Sequence, residues 1–241
     1  VPAAYCSNPA ALTAEVDFTQ EDVRFGALRS YELPTIEGCA TIAAVGQPAL
    51  PVRVLHFVIP RDVAVDGVEA SFDEQLLPGT HVIAPVQPEA PIGETAPWAD
   101  PDPAVYEAGG RFPRERAVYL GDSYMGGYRV AAVAVYPLEY EPATGALRLA
   151  RDITVALSLA PAADRSLARQ RVTPNSSRLF QRAVEDLVAN PDDVARLTPQ
   201  SVDDDGAAGF QPRYTPSLEG SAVDYVIITN DELESSVEEL A

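Results

Sequence analysis

The chain has 241 residues, of which 46% are hydrophobic, and a formal net charge of -19; apart from two histidines, every basic residue is arginine. That length holds one large β domain with a tail, or two small domains, and no apolar run approaches the roughly 18 to 20 residues of a membrane-spanning helix. A surface this acidic repels nucleic acid and anionic lipid, so neither is expected as a partner.

Residues 1–13 read as an amino-terminal arm. The opening VPAAYCSNPA lacks a basic stretch followed by an apolar one, so any signal peptide is expected to be absent or already removed. Ala14, Val16 and Phe18 then alternate with acidic and polar residues, as on a half-buried strand. Residues 22–33 repeat the pattern, with Gly26 as a bulge or turn and Pro34 closing it. A weak strand over 36–45 precedes GQPALPVRVLHFVIP at 46–60, where a Gly-x-Pro turn leads into a strand ended by Pro60. Residues 63–72 alternate again, with Gly67 shifting the register. This succession of short strands and turns predicts an all-β domain.

Residues 84–117 break the pattern. Prolines recur from Pro85 to Pro113 with glycines among them, which predicts a long surface loop. Its distal end carries Arg111, Arg114 and Arg116. On the residues alone these arginines read as a solvated set offsetting nearby acids. Residues 124–161 then predict two long strands joined by a turn at Glu141-Pro142-Ala143-Thr144-Gly145. In the second, Leu147, Leu149, Ile153, Val155, Leu157 and Leu159 share one parity. The first, at 128–136, is apolar on both faces and is placed centrally in a sheet, with Pro137 marking a bend or bulge. Such a strip is buried only if a second sheet covers it, so an antiparallel β-sandwich is expected.

Beyond Pro161, Ser177 reads as a helix cap, followed by Phe180, Val184 and Val188 at spacing four and a stop at Asn190-Pro191. An acidic linker ends in Arg213-Tyr214. Within it, Asp203-Asp204-Asp205-Gly206 lacks the ligand alternation and closing glutamate of a calcium loop. Residues 223–229 form a nearly continuous apolar strand, and Leu233, Val237 and Leu240 a helical stripe. One βα unit cannot bury its own faces, so this reads as the truncated start of an α/β domain. The segments are thus an arm at 1–13, a sandwich at 14–160, a helical segment and acidic linker at 161–213, and the α/β start at 214–241.

Cys6 and Cys39 form no metal motif; a disulfide between them and two unpaired thiols are equally open. His56 and His81 lie in or beside strand-like runs; either could pair with Cys39 catalytically, but no nucleophile signature surrounds Cys39 and the structural reading is favoured. Trp98, Tyr106, Phe112, Tyr119 and Tyr124 lie close in sequence without a strand period. They leave open an adhesion or carbohydrate-binding module, while no Ser/His/Asp arrangement supports a hydrolase.

GQPALP, the run YMGGYRVAAVAVYPLEYEPATGALRLARDITVAL and the closing VDYVIITNDELESSVEELA together resemble gingipain-type cysteine peptidases. Residues 14–160 resemble the amino-terminal propeptide of that family, and the last twenty or so the first strand and helix of its caspase-like catalytic domain. The resemblance implies an inhibitory and chaperone prodomain of a secreted or cell-surface bacterial cysteine endopeptidase. Its partner is the peptidase domain that follows in the same precursor. No catalytic residue lies in this chain, so no activity is expected of it alone. No cofactor is expected either; calcium in the parent enzyme is left open. The resemblance also implies that a propeptide arginine sits in the specificity pocket, for which Arg111, Arg114 and Arg116 are the candidates, and that maturation cleaves at Arg213–Tyr214, with Arg171, Arg178 and Arg196 as other cuts.

Overall fold

The computed structural model describes residues 11–161 and 174–197, with the backbone alone for 174–177. The chain divides into two compact units, Val1–Val202 and Asp203–Ala241, and all described residues fall in the first. They form ten strands, two α-helices and two single-turn 3-10 helices, Gln20–Asp22 and Pro191–Asp193. The strands are β1 (Leu12–Val16), β2 (Arg24–Leu28), β3 (Tyr31–Thr35), β4 (Ala40–Thr41), β5 (Pro51–Ile59), β6 (Val63–Leu76), β7 (Ala117–Met125), β8 (Tyr128–Val135), β9 (Leu138–Glu141) and β10 (Ala146–Pro161). The α-helices are α1 (Pro103–Tyr106) and α2 (Pro174–Leu187).

Two antiparallel sheets face each other. In the first, β6 pairs along one side of β10, while β1 and β9 share its other side. The second runs β4–β5–β8–β7. Leu147, Leu149, Ile153, Val155 and Leu157 of β10 are fully buried against Phe57 and Ile59 of β5 and Ala131, Val133 and Val135 of β8. The single-parity stripe predicted for β10 is therefore the inner face of a β-sandwich. Burial of these side chains, each worth about 1.5–3 kcal/mol for a Val, Leu, Ile or Phe, is the main term holding the sheets together.

The central position predicted for β8 holds, with β5 on one side and β7 on the other. Its other parity explains why both faces are apolar. Tyr128 and Val130, with Val58 of β5, pack under Val184 of α2 and under Val188 and Val194, which follow it. The helix predicted around Phe180, Val184 and Val188 is thus a third layer on the sandwich, beginning at Pro174, and not a linker element. Gly126 lies in the β7–β8 turn at φ 56° and abuts the Phe180 ring so closely that a Cβ there would overlap it. Asn190, read as the stop, also closes the free edge of β5. Its side chain accepts from Val58 N at 2.9 Å and donates to Val58 O at 3.0 Å, and Ala189 N donates to His56 O at 2.7 Å. An open edge that would invite another strand is covered.

Other local expectations change. The two long strands of 124–161 are not hairpin partners: the chain leaves β8 at Tyr136-Pro137, crosses to the opposite sheet, and only then makes the β9–β10 hairpin. Proline lacks the N–H that would continue the first ladder, which suits it to the crossing point. Residues 22–33 form not one bulged strand but β2 and β3, reversed at Arg29 with φ 56°, and Pro34 lies inside β3. The weak strand at 36–45 shrinks to β4 because a turn, with Cys39 N bonded to Ile36 O at 3.1 Å, takes its first half. The register shift expected near Gly67 is present, between the Ser158 and Leu159 pairings of β10.

Candidate functional site

The proline-rich segment is an ordered loop. Gln87 exchanges two 3.0 Å hydrogen bonds with the Ala99 backbone, Asp102 caps α1 through Ala104 N at 2.9 Å, and Tyr106 donates its hydroxyl to Ile83 O at 2.9 Å. The loop then returns to the sandwich at two points. Phe112 and Tyr140 of β9 exchange backbone hydrogen bonds of 2.8 and 2.7 Å, and Tyr136 N donates to Arg116 O at 2.8 Å. Between these anchors Pro113 is buried after a cis Phe112–Pro113 bond, and Arg114 and Glu115 are exposed.

The three arginines at this end have different surroundings. The Arg116 side chain is 5% exposed, and its Nη1 donates to Tyr136 O, Pro137 O and Arg148 O at 3.3, 3.2 and 3.5 Å. Its Nε lies 3.5 Å from Glu139 Oε2 and its Nη2 3.5 Å from Glu74 Oε2. Neither nitrogen makes an aligned hydrogen bond, so these are charge contacts. Burial pulls the Arg116 guanidinium below its ordinary range, while Glu139 and Glu74 oppose that shift. Arg111 is half exposed and reaches the other oxygen of Glu139 at 3.2 Å and Glu74 at 3.7 Å. Arg148 closes the network on Glu74 and Glu141, both at 3.3 Å. Arg114 has no ion pair or side-chain hydrogen bond among the described residues. Of the three arginines named from sequence, one is locked inside, one is tied to the sheet and one is presented to solvent.

Arg213 and Tyr214, the Asp203–Asp205 cluster and Arg171 lie outside the described residues, as does Cys6 and with it the Cys6–Cys39 pairing. Arg178 is exposed on α2, and exposed Arg196 pairs with Asp193. Cys39 is half-buried, and burial pushes its thiol up against a smaller opposing effect of Arg53, which disfavours the reactive thiolate. His81 is engaged by Glu32 Oε2 at 2.7 Å and Pro78 O at 3.2 Å and stacks on Phe25. The aromatic residues do not form one open platform: Arg29 lies 3.8 Å over the Trp98 ring, Tyr106 packs edge-on to Tyr140, and Phe112 and Tyr119 pack against the core. Among the described residues no cluster of His, Cys, Asp and Glu could hold a metal ion, and no helix is long and apolar enough to cross a membrane.

Sequence reasoning missed Glu74 and Glu139. Both lie outside the strands predicted at 63–72 and 128–136, and only the tertiary fold brings β6 and β9 to the same guanidinium.

The Propeptide_C25 family model matches residues 13–179, well over half of the chain. The chain belongs to this family, the propeptides of gingipain-type peptidases. The match extends into α2, in keeping with a helix packed on the propeptide sandwich. Among solved structures, the complex of the Porphyromonas gingivalis RgpB pro- and mature domains is similar at 18% identity and TM-score 0.57, covering 75% of this chain and 92% of that one. A structure described as giving insight into the zymogenic latency of gingipain K from Porphyromonas gingivalis aligns at 18% identity and TM-score 0.49, over 63% of this chain and all of that one. The first of these supports the propeptide fold. No curated protein gives a significant match.

Proposed function

We propose that this propeptide is the inhibitory and chaperone prodomain of a secreted or surface-exposed gingipain-like cysteine endopeptidase, and that Arg114 is the residue it places in the specificity pocket. The domain occludes the active site of the peptidase that follows it in the precursor, and cleavage at Arg213–Tyr214 in the linker begins its release. One observation carries the choice of residue. Arg114 is the exposed, unengaged arginine of the loop, and the chain is anchored two residues before it at Phe112 and two after it at Arg116. A guanidinium pairs bidentately with a carboxylate at the base of an arginine-accepting pocket, and a loop already held in place loses little entropy on docking. The backbone contacts also limit how far the loop can adapt to the attacking cysteine.

The test is inhibition in trans of an arginine-directed gingipain-type endopeptidase by the whole chain. Arg114→Ala is expected to raise the inhibition constant by at least about 30-fold, the scale of an interface hot spot. An unchanged constant assigns the pocket to another residue.

A further inference from the structure

The two arginines flanking Arg114 do not grip separate partners. Arg111 lies 3.2 Å from Oε1 of Glu139 and Arg116 3.5 Å from Oε2 of the same carboxylate, both as charge contacts and not aligned hydrogen bonds. Glu74 approaches both guanidiniums from β6, at 3.7 and 3.5 Å. The Glu139 side chain is 10% exposed, so this carboxylate is largely screened from water and its charge contacts count for more than surface pairs do. One acidic residue on β9 therefore ties together the chain entering the loop and the chain leaving it.

We infer that Glu139, assisted by Glu74, is a positioning residue that clamps both sides of the Arg114–Glu115 bond and makes the loop a poor substrate for the trypsin-like or arginine-directed proteases that would otherwise accept Arg114. This deepens the proposed function and rests on it for its biological sense, but the clamp can be measured without the cognate peptidase. Hydrolysis would add one water across the bond from the Arg114 carbonyl carbon to the Glu115 nitrogen, leaving a carboxylate on Arg114 and an ammonium on Glu115. To reach that geometry a protease needs several residues on either side of the bond to leave the fold and extend. Cleavage of a folded chain follows the population of such opened states. Opening the loop here means parting Arg111 and Arg116 from Glu139 as well as breaking the backbone bonds at Phe112 and Arg116.

The whole chain is digested with trypsin under native conditions, and the product ending at Arg114 is followed by mass spectrometry. Arg151, exposed on the bulged part of β10, serves as a reporter of global unfolding in the same digest. Glu139→Gln keeps the shape and removes the charge, and is expected to speed the Arg114 cut at least about tenfold relative to the Arg151 cut. Should that variant fold poorly, Arg111→Met leaves the buried Arg116–Glu139 contact in place and is expected to give about a threefold acceleration. Wild-type rates at Arg114 in Arg111→Met, or acceleration in Glu139→Gln that Arg151 matches, would overturn the clamp. Neither result would touch the trans-inhibition test of Arg114, so failure of the clamp and failure of the inhibitory reading remain distinguishable.

Discussion

His56 and His81 occupy different surroundings, although both were read as strand-associated histidines. His81 has an acceptor at each ring nitrogen, whereas burial in β5 alone holds the His56 imidazole below its ordinary 6.5. A folded pKa below the unfolded one means that the folded chain binds fewer protons. The stability His56 contributes is therefore fully present above about pH 6.5 and lost as pH falls through the lower folded value. Urea unfolding at pH 7.5 and pH 5.5 is expected to show a smaller drop in the midpoint for His56→Gln than for wild type; equal drops would contradict this. At the same scale, Arg111, Arg114 and Arg116 were legible as a set and not as individuals. What separates them is contact with Glu74 and Glu139, which lie far before and after the three arginines in sequence. No local spacing carries that information.

Elements were more legible than their connections. The single-parity stripe of β10 and the two-faced apolarity of β8 placed both strands correctly, because burial on one face or two writes itself into the period of the sequence. Their pairing was misread, because a proline signals that a ladder stops but not which sheet the chain joins next. Helix α2 was predicted from its spacing, while its role as a third layer depends on Val58, Tyr128 and Val130 being left apolar on the outer face of the second sheet. Asn190 ties that layer to the edge of β5, standing in for the backbone of an absent strand. Replacing it by alanine removes three side-chain hydrogen bonds, two of them to Val58 and one to Asp193, and leaves the Val58 amide and carbonyl without that partner. Asn190→Ala is expected to lower unfolding free energy by about 1–3 kcal/mol in denaturant titration. A loss under about 0.5 kcal/mol would mean that water serves that edge equally well.

For the molecule as a whole, the propeptide family and the sandwich were both within reach of the sequence, since the long run through β8, β9 and β10 carries the core pattern and the resemblance together. Seventeen arginines stand against 36 acidic residues, and at the end of the proline-rich loop the fold buries or pairs Arg116, Arg111 and Arg148 while presenting Arg114 between two backbone anchors. That placement of Arg114 is the feature on which the proposed inhibitory role rests. The most direct measurement is titration of an arginine-directed gingipain-type endopeptidase with the purified chain, following turnover of an arginyl substrate. Progressive loss of turnover, saturating near one chain per active site, is the predicted result. Full turnover at a large molar excess of correctly folded chain would contradict the account.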